Sequence, residues 1–279
     1  MTKVIRTPDT IRTLLDGIDN LLLDCDGVLW AGSDPIPGAI ECVKAMIAAG
    51  KKVVFITNNS TKSRRESDFL TRGYAAKFSS FGLDVSPDQI VTSGSALAAL
   101  LAVQHPSVTA AYVVGEGGLA EELELAGIRC VSEAVGAGPE MLESEFRALS
   151  ADPAVGAVAV GWCRAFSFRQ LATASYYLQA VPGCVFLGTN PDDADRVGVH
   201  LMPGTGPLIR AVECASRQPA TVVGKPNPEL IRAILDTHRM DPARTLMVGD
   251  RLDTDIAFGN GGGIATCLVL TGVATAADA

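Results

Sequence analysis

Short apolar runs that stop abruptly on polar residues recur along this chain, and they constrain its fold more than any other feature. The first, Leu21-Leu22-Leu23, meets Asp24-Cys25-Asp26-Gly27 before the chain turns apolar again at Val28-Leu29-Trp30. Val53-Val54-Phe55-Ile56 stops at Thr57-Asn58-Asn59-Ser60, and Leu246-Met247-Val248 stops at Gly249-Asp250, with Asp255 shortly beyond. Unbroken apolar runs of this length have the composition of parallel strands buried on both faces. Between them lie helical patterns. Asp9 and Asp16-Gly17 bracket one, Ile40, Val43 and Ile47 share a face of another that Pro37-Gly38 opens and Gly50 ends, and two more are expected around 64–72 and 96–103. Strand and helix in alternation imply an α/β fold with a doubly wound parallel sheet. In such sheets ligands bind beyond the carboxyl ends of the strands, where the polar residues of this chain collect.

At 279 residues the chain exceeds one average domain, and with 48% hydrophobic and 19% charged residues it can bury a large core. A net charge of -8 argues against a nucleic-acid partner. The most apolar stretches, such as 154–162, fall short of the ~20 residues a helix needs to cross a bilayer, so no membrane association is expected. The first thirty residues carry scattered charges and no clean apolar region, so no signal peptide is expected, and the seven cysteines are odd in number and form no C-x-x-C pair. A cytoplasmic protein is expected, without a zinc or disulfide framework.

After His105-Pro106 a second α/β pattern begins. Runs at 111–114, 155–160 and 184–187 read as strands and 119–126 and 168–178 as helices, but none of these strands ends in an acid pair. A sheet without catalytic polarity reads as an inserted, smaller cap. Pro203-Gly204-Thr205-Gly206 opens a helix to about residue 215, and Gln218-Pro219 marks a break. Thr221-Val222-Val223, ending in Gly224-Lys225-Pro226, then returns to the style of the first block. The expected division is a core from 1–103 and 219–279 with a cap at 104–218.

Parallel strands would bring Asp24 with Asp26, Thr57 with Asn58, Lys225, and Asp250 with Asp255 to one edge of one sheet. Such a set suits phosphoryl transfer. One carboxylate can attack phosphorus and a second can carry protons, while a lysine, hydroxyls and amides hold phosphoryl oxygens and further carboxylates bind Mg²⁺. The plainer alternative for Asp24-Cys25-Asp26-Gly27 alone is a strand closed by an Asx-type turn.

Asp24-Cys25-Asp26-Gly27-Val28, Thr57-Asn58-Asn59-Ser60, Gly224-Lys225-Pro226 and Gly249-Asp250-Arg251-Leu252-Asp253-Thr254-Asp255 resemble the four ordered motifs of the haloacid dehalogenase superfamily. More narrowly they resemble its 4-nitrophenylphosphatase, phosphoglycolate phosphatase and pyridoxal phosphatase branch, whose α/β cap lies between the second and third motifs. The resemblance implies that Asp24 is the nucleophile and forms a phosphoaspartate, and that Asp26 protonates the leaving oxygen and then activates water. It implies Mg²⁺ held by Asp24, the backbone carbonyl of Asp26 and Asp250. It further implies that Thr57, Asn58 and the amide of Asn59 hold the phosphoryl oxygens with Lys225 beside them, and that Asp255 orients Lys225 or metal-bound water. A halide leaves without protonation whereas an ester oxygen leaves better with it, so Asp26 favours ester hydrolysis over dehalogenation.

The implied substrate is a small phosphomonoester, with 2-phosphoglycolate first and 4-nitrophenyl phosphate as an artificial substrate. Pyridoxal phosphate, a phosphoprotein, or transfer to a second substrate as a phosphotransferase or mutase are the alternatives. Ala194 stands near the place where the pyridoxal phosphatase type offers a histidine, Cys163 stands where relatives carry an acid, and Arg196 is matched to a substrate carboxylate. A homodimer through the cap is implied by the resemblance alone.

Overall fold

The computed structural model describes residues 8–65, 73–134, 136–197 and 200–278, excluding the side chains of 8–11, 196 and 197. Most of the helix expected around 64–72, and the Arg196 side chain, therefore lie outside the described residues. The strands in chain order are β1 (Asn20–Leu23), β2 (Trp30–Ala31), β3 (Asp34–Pro35), β4 (Lys52–Thr57), β5 (Ile90–Thr92), β6 (Ala110–Val114) and β7 (Arg129–Val131). They continue with β8 (Val155–Val160), β9 (Val185–Gly188), β10 (Ala194–Val197), β11 (His200–Pro203), β12 (Thr221–Val222), β13 (Thr245–Gly249) and β14 (Ala265–Leu268). Two compact units result: Met1–Thr57, Lys77–Val91 and Lys225–Ala279 form one, and Asn58–Ala76 with Thr92–Gly224 the other.

The first unit is built on a five-stranded sheet in the order β14-β13-β1-β4-β5. β1 pairs in parallel with both β13 and β4, Leu23 lying opposite Val248 on one side and Phe55 on the other. Every residue of β1 is buried, as its unbroken apolar run requires. Leu22, Val54, Ile56 and Met247 face Ile231, Ile234 and Leu235 of the Pro228–Thr237 helix and Phe258. The chain winds outward from β1 through β4 to β5, and later fills the other side with β13 and β14. The switch point of this doubly wound sheet therefore lies between β1 and β13, and Asp24 and Asp250 are the residues that leave those two strands.

The second unit carries its own five-stranded parallel sheet, β12-β9-β8-β6-β7. Tyr112, Val114, Val158, Val160 and Phe186 of that sheet pack with Tyr177 and Leu178 of the Phe168–Ala180 helix and Ile209 and Val212 of the Thr205–Ser216 helix. β10 and β11 form a separate two-stranded antiparallel sheet that the sequence patterning did not announce. One expectation is corrected here. Thr221–Val222 does not join the β1 sheet; it pairs with β9, and the N–H groups of Val223 and Gly224 continue that ladder onto the carbonyls of Gly188 and Thr189. A two-residue apolar run has no pattern of its own that would select its sheet.

Candidate active site

In the first unit the carboxyl ends of β1 and β13 deliver Asp24 and Asp250 side by side. Asp24 continues the β1 ladder, its N–H donating to Val248 O at 2.9 Å, so its direction is set by the sheet. Asp250 follows Gly249, and a π-type turn at Leu252–Ile256 folds Asp255 back beneath it. One carboxylate oxygen from each of Asp24, Asp250 and Asp255 lies within 4.8 Å of the others, and all three residues are buried.

Lys225 enters this cluster from a loop. Its side chain, 2% exposed, donates to Asp24 Oδ1 at 2.5 Å, to Asp255 Oδ1 at 2.6 Å and to the Ile56 carbonyl at 3.2 Å. Burial disfavours the ammonium, but the charges of Asp24 and Asp255 outweigh it and shift its pKa upward, so Lys225 stays cationic. Burial pushes the Asp24 carboxyl well above the usual carboxylate range, against the pull of Lys225 and with the Asp255 charge adding to the rise. Burial also raises Asp250, although the Val273 N–H donates to its Oδ2 at 2.6 Å.

The surroundings of Asp250 leave no slack. A side chain on Gly27, whose φ is +87°, would place its Cβ 2.5 Å from Asp250 Oδ2, and one on Gly272 would collide with the same oxygen. Asp255 is fully engaged: Oδ1 takes Lys225, and Oδ2 accepts the N–H groups of Asp250 and Arg251, each at 3.1 Å. Three buried carboxyls thus meet one ammonium. Hard oxygen donors with unbalanced negative charge, two of them pushed toward protonation, fit an oxygen-preferring divalent cation such as Mg²⁺.

Asp26 is exposed, while Cys25 between the two aspartates is fully buried and its thiol is pushed up by that burial. Asp26 Oδ1 accepts the indole N–H of Trp30 at 2.9 Å. Thr57 ends β4 and is buried. Asn58 and Asn59 follow it in sequence but belong to the second unit, where Asn58 is heavily wired. Its carbonyl accepts from Asn190 Nδ2 at 2.7 Å and Ser93 Oγ at 2.5 Å, and its own amide donates to Asp192 Oδ1 at 3.0 Å. Asn59 Oδ1 accepts from the backbone and hydroxyl of Thr61. Asp253 pairs with Arg251 at the surface, as a solvated acid would.

Sequence reasoning did not supply Trp30, Asn190, Asp192 or Val273 as partners of these residues. Val273 acts through its backbone, which leaves no side-chain signature; Trp30 at least sits four residues beyond Asp26, a spacing that permits contact in a tight turn.

Two family models match the chain: haloacid dehalogenase-like hydrolase over residues 21–129 and HAD-hydrolase-like over residues 222–279. Among curated relatives, the glycerol-3-phosphate phosphatase of Homo sapiens is 40% identical over 279 residues, covering 96% of this chain and 83% of its own length. Phosphoglycolate phosphatase 2 of Arabidopsis thaliana is 36% identical, covering 98% and 89%. Among solved structures, p-nitrophenyl phosphatase from Archaeoglobus fulgidus superposes with a TM-score of 0.76 at 32% identity, covering 93% of this chain and 89% of that one. A glycerol phosphate phosphatase from Mycobacterium tuberculosis in complex with magnesium gives 0.75 at 29% identity, covering 95% and 71%.

Proposed function

This chain belongs to the haloacid dehalogenase-like hydrolases and is a phosphoric monoester hydrolase, and from that premise we propose that it hydrolyses small organic phosphomonoesters with Mg²⁺ through a phosphoaspartate on Asp24. The observation that carries the reading is the buried Asp24, Asp250 and Asp255 group with Lys225 inside it. Asp24, Asp250 and the backbone carbonyl of Asp26 would hold the cation. Its charge would offset the repulsion between an anionic nucleophile and an anionic phosphate. The two bonded oxygens of Asp255 support a role in fixing Lys225 and the Asp250 backbone rather than one as a ligand.

The steps follow from the residues. A carboxylate oxygen of Asp24 attacks phosphorus as the bond to the leaving oxygen breaks, and Asp26 gives that oxygen its proton. Asp26, now a carboxylate, takes a proton from water; the resulting hydroxide attacks the phosphoaspartate, releasing inorganic phosphate and restoring Asp24. Lys225 neutralises charge beside the nucleophile, and Thr57, Asn58 and Asn59 hold the phosphoryl oxygens.

Glycerol 3-phosphate and 2-phosphoglycolate are the first candidate substrates, supported by the names of the relatives and by the small size that an α/β cap at 104–218 would select. No helix among the described residues is long and apolar enough to cross a membrane. We extend this to a cytoplasmic location, which seven free thiols support, and to a homodimer through the cap, which sedimentation of a monomer at working concentration would refute. The function is tested by phosphate release from glycerol 3-phosphate, 2-phosphoglycolate, pyridoxal 5′-phosphate, 4-nitrophenyl phosphate and a phosphopeptide, with Mg²⁺ and with chelator. Mg²⁺-dependent release from the small esters supports the reading. No release from any of them, or phosphate delivered to an added alcohol and none to water, contradicts it.

A further inference from the structure

Asp26 is exposed, so nothing about burial fixes its carboxylate, yet proton transfer to a leaving oxygen needs that group held in one direction. The chain supplies a fixed donor four residues on. Leu29 and Trp30 donate backbone N–H groups to the Cys25 carbonyl at 2.8 and 3.3 Å, and Gly27 donates to the Trp30 carbonyl at 2.7 Å. This tight turn folds Trp30 back against Asp26, and the Thr271 hydroxyl ties it further by donating to the Gly27 carbonyl at 2.6 Å. The indole Nε1 then donates to Asp26 Oδ1 at 2.9 Å.

The indole itself is anchored. Trp30 is fully buried, with Phe78 edge-on to its ring at a centroid separation of 5.1 Å and Phe81 stacked at 5.8 Å. Phe78 is in turn packed on Phe55 of β4 at 4.3 Å. Lys77 Nζ lies 3.9 Å over the Trp30 ring and donates to the Gly32 carbonyl at 2.9 Å. A bicyclic ring so held cannot follow a carboxylate that changes rotamer, so the hydrogen bond exists in one orientation of Asp26 and is lost in the others.

We propose that Trp30 is a positioning residue: its indole N–H, donated to Asp26 Oδ1, holds the Asp26 carboxyl group in the orientation from which its other oxygen protonates the leaving oxygen. This deepens the reading of Asp26 as the acid and base of the proposed reaction, and rests on it. The consequence is selective. A basic leaving oxygen needs the proton in the transition state and a nitrophenolate hardly does, so loss of the N–H should act in proportion to leaving-group basicity. Loss of packing alone would slow all substrates alike.

The test compares phenyl phosphate with 4-nitrophenyl phosphate, two esters of similar size, by kcat/KM, which reports the first phosphoryl transfer. Two variants are used: Trp30→Phe, and replacement of Trp30 by benzothienylalanine, which keeps the bicyclic shape and lacks only the N–H. The ratio of kcat/KM for phenyl phosphate to that for 4-nitrophenyl phosphate should fall about fivefold in both variants, on the scale of a partial loss of general-acid catalysis. Asp26→Asn should lower the ratio further, and adding Trp30→Phe to Asp26→Asn should leave it unchanged. An unchanged ratio in the benzothienylalanine protein, or a further fall in the double variant, overturns the proposal for Trp30. An unchanged ratio in Asp26→Asn overturns the acid role of Asp26 itself, and with it the proposal.

Discussion

Asp255 ties together two sides of the site, since its two oxygens serve Lys225 on one side and two backbone N–H groups on the other. Asp255→Asn would keep one acceptor but turn an amide NH₂ toward a donor at one end or the other. We expect a loss of about 2 kcal/mol in urea denaturation, together with a fall in turnover. Lys225→Ala should cost more, about 3–5 kcal/mol in the same measurement, because it leaves two buried carboxyls without their cation. Both residues stood out in the sequence, Lys225 just past an apolar run and Asp255 five residues beyond the acid that ends another. Their exact wiring was not. The Val273 N–H that binds Asp250 is 23 residues away and carries no side-chain mark, and the Trp30 indole was hidden among residues that read equally well as core.

At the scale of elements, the segment that follows β4 is held from several sides within the second unit. The Glu122 side chain, 1% exposed, accepts from the Arg64 backbone N–H at 2.6 Å and binds its guanidinium through two nitrogens, Nε at 3.1 Å and a terminal nitrogen at 2.9 Å. Because Arg64 is partly exposed, screening reduces what the pair contributes, and Glu122→Ala is expected to lower stability by about 2 kcal/mol by chemical denaturation. Asp192 holds the Asn58 amide from the loop before β10. In Asp192→Ala the amide loses that acceptor, so KM should rise several-fold with kcat nearly kept, whereas Asp192→Asn, which retains an acceptor oxygen, should recover most of it; steady-state kinetics on a small phosphomonoester decides.

The long strands were legible because an unbroken apolar run admits little else, and β8 falls on the expected residues. Short elements were less so: β5 has three residues, too few to show a period, and Thr221-Val222-Val223 read as a strand without revealing that it pairs with β9. The Pro228–Thr237 helix carries its signature in Asn227-Pro228-Glu229, an N-cap, a first-turn proline and an acid, directly after the Gly224-Lys225-Pro226 loop.

For the whole molecule, the proposed mechanism makes the chemistry depend on a cation that balances the buried carboxyls of the first unit. Mg²⁺ at about one hundred times its dissociation constant should stabilise the protein by about 2.7 kcal/mol, read as a melting temperature about 5 °C above that in chelator. Asp250→Asn should abolish most of this shift. The α/β class and the doubly wound order followed from the alternation of runs and helices, while the sheet to which each short strand belongs is decided by long-range pairing that no local pattern records. In the proposed mechanism phosphate passes through Asp24. Rapid acid quench of the protein turning over a phosphomonoester labelled with radioactive phosphate, followed by peptide mapping, tests it most directly. A hydroxylamine-labile label is expected on the peptide containing Asp24, and no label with turnover reduced at least about 10³-fold in Asp24→Asn. Turnover with no label on the protein, or an Asp24→Asn variant as active as the parent, would contradict it.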